Sequence, residues 1–205
     1  IFDDHIGSVR FQDLRGVAMD DHYFYLADSR AAKVYVWKGI PSADSEPAFA
    51  LDVEQAWRLS SDGNYLAVAT AFRHLALIYR VRELGLGARP AIVGEFSRGG
   101  PPDKPQWFNG VATALASHGH FFVAEGFSRV HAWRKIEDAI AGQRADVILG
   151  KNDFEDVQPR IGRNGLHYPS ALSFDGSYLW VGEVKFSERL LRFSPAPSAQ
   201  SKGQL

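Results

Sequence analysis

The residues able to do chemistry in this chain sit after short apolar runs and in two long links. Asp28, Arg30, Arg73, Asn109, Glu125, Glu183 and Lys185 each stand at or just beyond the end of an apolar run. The link from Glu95 to Phe108 carries Arg98, Lys104, Gln106, Trp107 and Phe108. The link from Lys151 to Tyr168 carries Asp153, Arg160, Arg163, Asn164 and His167. Long ordered loops in compact domains are often functional, so these side chains are the candidates for ligand contact. The competing reading is that the charges pair with one another and cap loop backbone, as structural ion pairs do elsewhere.

The histidines and short motifs narrow the chemistry further. His118 and His120 flank Gly119 in a tight turn, which favours solvent over metal. His131 alternates with Val130 and Ala132 and reads as a packing residue, whereas His74 and His167 fall on the side of the long links. Asp62-Gly63-Asn64 and Asp175-Gly176-Ser177 lack the further oxygen ligands of a calcium loop and read as hairpin turns in which glycine supplies positive φ. No G-x-S-x-G elbow, P-loop or dinucleotide fingerprint is present. The chain has no cysteine, which excludes disulfides and thiolate metal sites.

The elements that must position these residues recur four times. Gly16 to Trp37 reads as three strands: Gly16 to Met19, Tyr23 to Ala27 and Lys33 to Trp37. Runs this short, β-branched and aromatic, between turn signals, argue strand over helix. YFYLA is apolar at successive positions, so both its faces are expected to be covered. Equivalent triplets begin at Arg58, Gly110 and Ser170, so the starts 16, 58, 110 and 170 are 42, 52 and 60 residues apart. An outer strand follows three of them, at Pro47 to Leu51, Pro90 to Gly94 and Ala145 to Gly150; the fourth runs into a polar tail. Lys135 to Ala141 reads as a short helix stopped by Gly142. Repeats of this period with insertions in loops indicate propeller blades. The expected fold is an all-β β-propeller segment over 1–195, with blades at about 14–52, 56–94, 108–150 and 168–195, and a polar tail over 196–205.

Val36-Trp37-Lys38-Gly39-Ile40-Pro41, Ala145 to Phe154 and Tyr168 to Leu172 give the chain a pattern that resembles the bacterial NHL-repeat β-propellers. The resemblance implies a ring of about six blades. Four blades would then be an open arc, completed by missing blades or a partner chain, with Ile1 to Asp13 as the tail of a preceding blade's loop. A closed four-bladed ring is the simpler alternative. The acid that often ends the second strand is present as Asp28, while Thr70, Glu125 and Glu183 stand near its place in the other repeats. Some propeller relatives, lactonase-like or amidating-lyase-like, hold a metal at the axis. By that resemblance Asp28, Asn109 and Glu125 would hold calcium or zinc in a metal-dependent hydrolase or lyase.

A net charge of −1 gives no general attraction to nucleic acid or anionic membrane, and no apolar run has the length of a membrane helix. The compartment stays open, with a lean to an extracytoplasmic one. The expected function is a binding scaffold without a cofactor. Its axial-mouth face would recognise a protein, peptide or glycan through Trp107, Phe108, Arg98, Arg163, His167, Asp28 and Arg73.

Overall fold

The computed structural model describes residues 4–94, 108, 110–151, 156, 158–185 and 187–194. Arg98, Trp107 and Asn109 lie outside them. A hairpin, β1 (His5–Ile6) and β2 (Val9–Arg10), comes first. Blade 1 follows as β3 (Leu14–Met19), β4 (Phe24–Asp28), β5 (Lys33–Trp37) and β6 (Phe49–Asp52). Blade 2 is β7 (Ala56–Ser61), β8 (Tyr65–Thr70), β9 (Leu75–Arg80) and β10 (Ala91–Val93). Blade 3 is β11 (Val111–Ser117), β12 (His120–Glu125), β13 (Val130–Trp133) and β14 (Val147–Leu149), with helix α1 (Ile136–Ile140) before its outer strand. Blade 4 is β15 (Pro169–Phe174), β16 (Leu179–Glu183) and β17 (Leu190–Phe193). Every strand within a blade pairs antiparallel with its sequence neighbour, and the four blades form separate sheets.

Local chemistry explains the turns. Asp20, Asp62 and Asp175 occupy the same place after the innermost strand. Each carboxylate accepts from the backbone N–H groups two and three residues on, at 2.7–3.0 Å. This is the Asx geometry that favours Asp in such turns. Gly63 and Gly176 carry the positive φ, +84° and +92°. Trp37 and Trp133 end the third strands of blades 1 and 3. Each is buried, and its indole N–H donates to the carbonyl of Ser45 or Gln143 in the loop to the outer strand.

The blades pack with a consistent polarity. Apart from one aromatic on each forward face (Tyr25, Tyr65, Phe122 and Trp180), the larger side chains face backward and the smaller ones forward. Leu66, Val68 and Tyr79 of blade 2 meet Ala27, Val34 and Val36 of blade 1. Phe121, Val123 and Trp133 of blade 3 meet Ala67, Ala69 and Ala76 of blade 2. Phe174, Leu179 and Val181 of blade 4 meet Ala124, Val130 and Ala132 of blade 3. Large groups set into rows of small ones is how interiors reach their density. No core cluster of described residues joins blade 4 back to blade 1.

The two flanks that no core cluster of described residues covers are unlike. On blade 1 the register places Val17, Leu26 and Tyr35, then Met19, Phe24 and Trp37, on the backward face. Val17 is 58% exposed and Met19 56%. On blade 4 the forward face is Ala171, Gly182 and Leu190, then Ser173, Trp180 and Arg192. The expectation that both faces of YFYLA are covered thus holds for one face. Tyr25 and Ala27 are buried against blade 2, while Phe24 and Leu26 remain half-buried on the backward face. Residues 4–13, expected as a loop tail, include the β1–β2 hairpin. It buries Ile6 and Val9, and Phe11 beyond it packs edge-on to Tyr35.

Candidate binding face at the axial mouth

The innermost strands β3, β7, β11 and β15 converge on a cavity of about 450 Å³. Its wall includes Leu14, Arg15, Val17, Arg58, Leu59, Thr113, Ser170 and Leu172, one or more from each blade. The wall is held between blades by side chains. The Ser60 hydroxyl donates to the Ala114 carbonyl at 3.1 Å and accepts from the Ala116 N–H at 2.9 Å. The Thr113 hydroxyl donates to the Ser170 carbonyl at 2.6 Å.

Each inner strand carries a β-bulge at the same point: between Leu14 and Gly16, Ala56 and Arg58, Val111 and Thr113, and Pro169 and Ala171. A bulge bends its strand and re-aims a side chain. The inserted residues are Arg15, Trp57, Ala112 and Ser170. Just before each bulge, Leu14, Ala56, Val111 and Pro169 pair with Asp28, Thr70, Glu125 and Glu183. Those four residues, only near one another by sequence, hold one shared register position.

That position is structural in every blade. Asp28 is fully buried, and its carboxylate accepts from the N–H groups of Gln12 at 2.7 Å and of Asp13 and Ala31 at 3.0 Å. It ties the link entering blade 1 to the turn leaving β4. Thr70 donates to the Leu75 carbonyl at 2.8 Å. Glu125 is buried with Arg129 and His131. It accepts from Arg129 Nε at 2.9 Å and from Arg129 Nη2, and lies 2.9 Å from His131 Nε2. Glu183 accepts from Arg189 Nε at 2.7 Å and Nη2 at 3.0 Å, and from the His167 N–H at 2.7 Å. Burial alone would raise the Glu183 carboxyl, but Arg189, the His167 N–H and Ser187 outweigh it and hold it below its ordinary range. Arg189 also donates to the Gly162 and Gly165 carbonyls, pinning the link before blade 4.

These bonds engage two of the expected site residues. Asp28 and Glu125 are committed to separate internal networks in different blades. No group of three or more His, Asp or Glu that could hold a metal gathers among the described residues. Phe108 is fully buried and packs edge-on to His131 at 5.0 Å, so it serves the core between blades 2 and 3. His131 is a packing residue as expected, with Glu125 as an added partner. His74 accepts from the Gly110 N–H at 2.7 Å. His118 and His120 lie against Phe174, at ring separations of 5.8 and 4.9 Å. Arg73 pairs with Glu54. Arg30 and Arg163 are exposed, and His167 is half-buried.

Among the described residues, the mouth presents two aromatic–cation clusters. In the first, the Arg15 guanidinium lies 4.4 Å from the Trp57 ring centre, and Phe72 stands edge-on to Trp57 at 6.1 Å. Phe72 is 67% exposed. In the second, Tyr168 meets Phe127 at 5.3 Å and His167 at 4.8 Å, with the Lys185 ammonium 4.9 Å from its ring centre. Phe127 is 38% exposed. Phe72, Phe127 and Lys185 come from turns between second and third strands. Arg15 and Trp57 come from bulges, and Tyr168 from the end of a link. Sequence reasoning missed Arg15, Trp57, Phe72 and Phe127. An inner strand that begins at Ala56, two residues before the repeat starts by sequence, would have pointed to Trp57.

No protein-family profile matches the chain. No curated protein matches it in sequence. Solved structures do share its fold. The computationally designed Ika4 protein superposes with a TM-score of 0.60 at 11% identity, over 94% of this chain and 97% of the designed one. The β-propeller domain of Cps50 (Swd1) from Myceliophteria thermophila gives a TM-score of 0.57 at 10% identity, over 83% of this chain and 49% of that one. A chain of the nidogen/laminin complex gives 0.56 at 13% identity, over 91% of this chain and 62% of that one. The chain thus spans about half to two thirds of the two natural proteins. The fold is that of a β-propeller, almost all β, whose described residues form four small antiparallel sheets and a two-stranded hairpin.

Proposed function

We propose that this propeller is a binding scaffold whose axial-mouth face recognises a protein, peptide or glycan. One observation carries the reading: the mouth exposes aromatic rings braced by cations, while the acids beside them are spent on internal bonds. Aromatic and Arg side chains dominate interface energetics where they become desolvated, and Trp and Tyr offer large area at low entropic cost. Trp57, Phe72, Phe127, Tyr168 and Lys185 form the contact set, with Arg163 and His167 at its border. Arg98 and Trp107 join them on sequence grounds alone. The nidogen/laminin structure is an assembly of proteins, and a role in assembly is in keeping with the fold.

The repeats are of the NHL kind in this reading, and further blades complete the arc. The flank chemistry supports completion. Blade 1 turns large side chains outward where blades 2, 3 and 4 turn theirs onto a neighbour, and blade 4 turns out the small Ala171, Ser173 and Gly182 together with Trp180, Leu190 and Arg192. A blade with a small forward face would cover Val17 and Met19.

A displayed random-peptide library panned on the purified chain tests the binding face. Enriched peptides should bind the wild type and lose at least tenfold in affinity on Phe72→Ala with Phe127→Ala. Peptides whose affinity that variant leaves unchanged would refute the assignment of the mouth.

A further inference from the structure

The charge left over on the mouth identifies the kind of group it receives. Among the described residues of this face, Asp13 is held by Arg15 at 2.9 Å, Asp52 by Lys33, Glu54 by Arg73, and Asp156 by Arg160 at 3.0 Å. Asp28, Glu125 and Glu183 are buried in the networks described above. Glu188 is the acid there without an ion pair. Against it stand Arg30, Arg58 and Arg163, exposed and outside any ion pair, and Lys185 over Tyr168. Among the described residues of the mouth, cations outside ion pairs therefore outnumber such acids, on a chain whose net charge is −1.

Arg58 occupies the most distinctive place. It lines the axial cavity one residue after the blade 2 bulge, where the other blades have Gly16, Thr113 and Ala171. Gly16 leaves room for it. A Cβ at that position would meet the Trp57 carbonyl oxygen at 2.7 Å and Arg58 Cα at 3.1 Å. Arg15 lines the same cavity, with its guanidinium laid on Trp57. No carboxylate lines the cavity, and Leu14, Val17, Leu59 and Leu172 supply apolar wall. Charge at one point and hydrocarbon around it match a carboxylate on a short aliphatic stem. A guanidinium binds such a group through two parallel N–H donors.

We propose that the axial cavity takes a glutamate side chain of a peptide or protein partner, its carboxylate on Arg58 and its methylenes on the leucine-lined wall, beside an Arg15 already paired with Asp13. The inference rests on the binding-scaffold reading and gives the partner its chemistry. The surplus cations come from different blades and links, and no stripe of them follows a groove. That suits separate carboxylates along a peptide better than the continuous phosphate backbone of a nucleic acid, which needs a tracked cationic channel.

The test uses the full chain and three fluorescein-labelled ligands at low ionic strength: hexaglutamate, hexaglutamine and a ten-nucleotide oligouridine. Fluorescence anisotropy reads the affinity. Hexaglutamate should bind, hexaglutamine at least tenfold more weakly, and added salt should weaken the hexaglutamate complex. Arg58→Met should weaken it at least tenfold and Arg58→Lys by less, while Arg192→Met, on the blade 4 flank, leaves it unchanged. Circular dichroism confirms that each variant is folded. Equal binding of hexaglutamine, indifference to Arg58→Met, no hexaglutamate binding, or tighter binding of oligouridine would each overturn the proposal. Library peptides that lack acids yet still need Phe72 and Phe127 would overturn it too, while leaving the scaffold reading standing.

Discussion

Replacing Glu125 separates a structural acid from a functional one. Glu125→Ala removes the carboxylate that accepts from Arg129 Nε at 2.9 Å and from Arg129 Nη2, and that lies 2.9 Å from His131 Nε2. All three side chains are about 1% exposed. The guanidinium then stays buried without its carboxylate, a loss of roughly 3–5 kcal/mol when one partner of a buried pair is removed. With a urea m-value of about 3 kcal/mol/M for a chain of this size, the unfolding midpoint should fall by roughly 1–1.7 M. The double replacement Glu125→Met with Arg129→Met should recover most of that, because an apolar pair of similar volume spares both desolvation costs. Equilibrium urea unfolding, followed by tryptophan fluorescence, reads both. A group kept for ligand binding at the expense of stability would behave oppositely, and its removal would leave the fold equally or more stable. A Glu125→Ala midpoint within about 0.3 M of wild type, a change of about 1 kcal/mol at that slope, would refute the reasoning.

Other perturbations probe the junctions, the acid limb and the mouth. Gly16→Ala drives a Cβ to 2.7 Å from the Trp57 carbonyl, which is backbone and cannot swing aside, so blades 1 and 2 must part locally. Thermal unfolding should show a loss of about 1–3 kcal/mol. Glu183 is held below its ordinary 4.5, and Asp20 below its ordinary 3.8 by bonds from Ser61, Tyr25 and the His22 and Tyr23 N–H groups that outweigh the upward push of burial. A depressed carboxyl lends stability above its unfolded value and loses it as pH falls through the folded one. The urea midpoint should therefore be flat from neutral pH down to about 5 and fall below that, with a shallower fall in Glu183→Gln. Phe72→Ala and Phe127→Ala should each leave stability within about 0.5 kcal/mol, as exposed positions do, so that any lost binding reports contact and not unfolding.

Much of the architecture was legible in the residues. Runs such as HFFVA and RVHAW argued for buried strands, Asp-Gly turns marked two of the hairpins within blades, and the recurring triplets from 16, 58, 110 and 170 marked the blades themselves. Packing polarity was hidden, because a sheet covered on both faces shows no alternation. Only register shows that Ala27, Ala69 and Ala124 share one forward row with Gly182. The site was less legible than the fold. Polar residues at strand ends looked available for ligand, yet burial obliges such groups to find partners, and Asp28, Glu125 and Glu183 found theirs within their own blades or the adjoining links. The exposed set depends on bulges. One inserted residue turns Arg15 and Trp57 outward, and no residue type marks a bulge in advance. Phe72 and Phe127 are aromatics in short turns, where sequence alone does not distinguish an exposed ring from a buried one.

The most direct measurement is amide hydrogen exchange of the chain with and without a bound library peptide. Binding at the axial mouth predicts slowed exchange at the turns around Phe72 and Phe127 and at the links reaching Trp57 and Tyr168. The opposite rim, at His22, Asn64, Gly119 and Ser177, should stay unchanged. Slowing at that rim, with the mouth unaffected, would contradict the account.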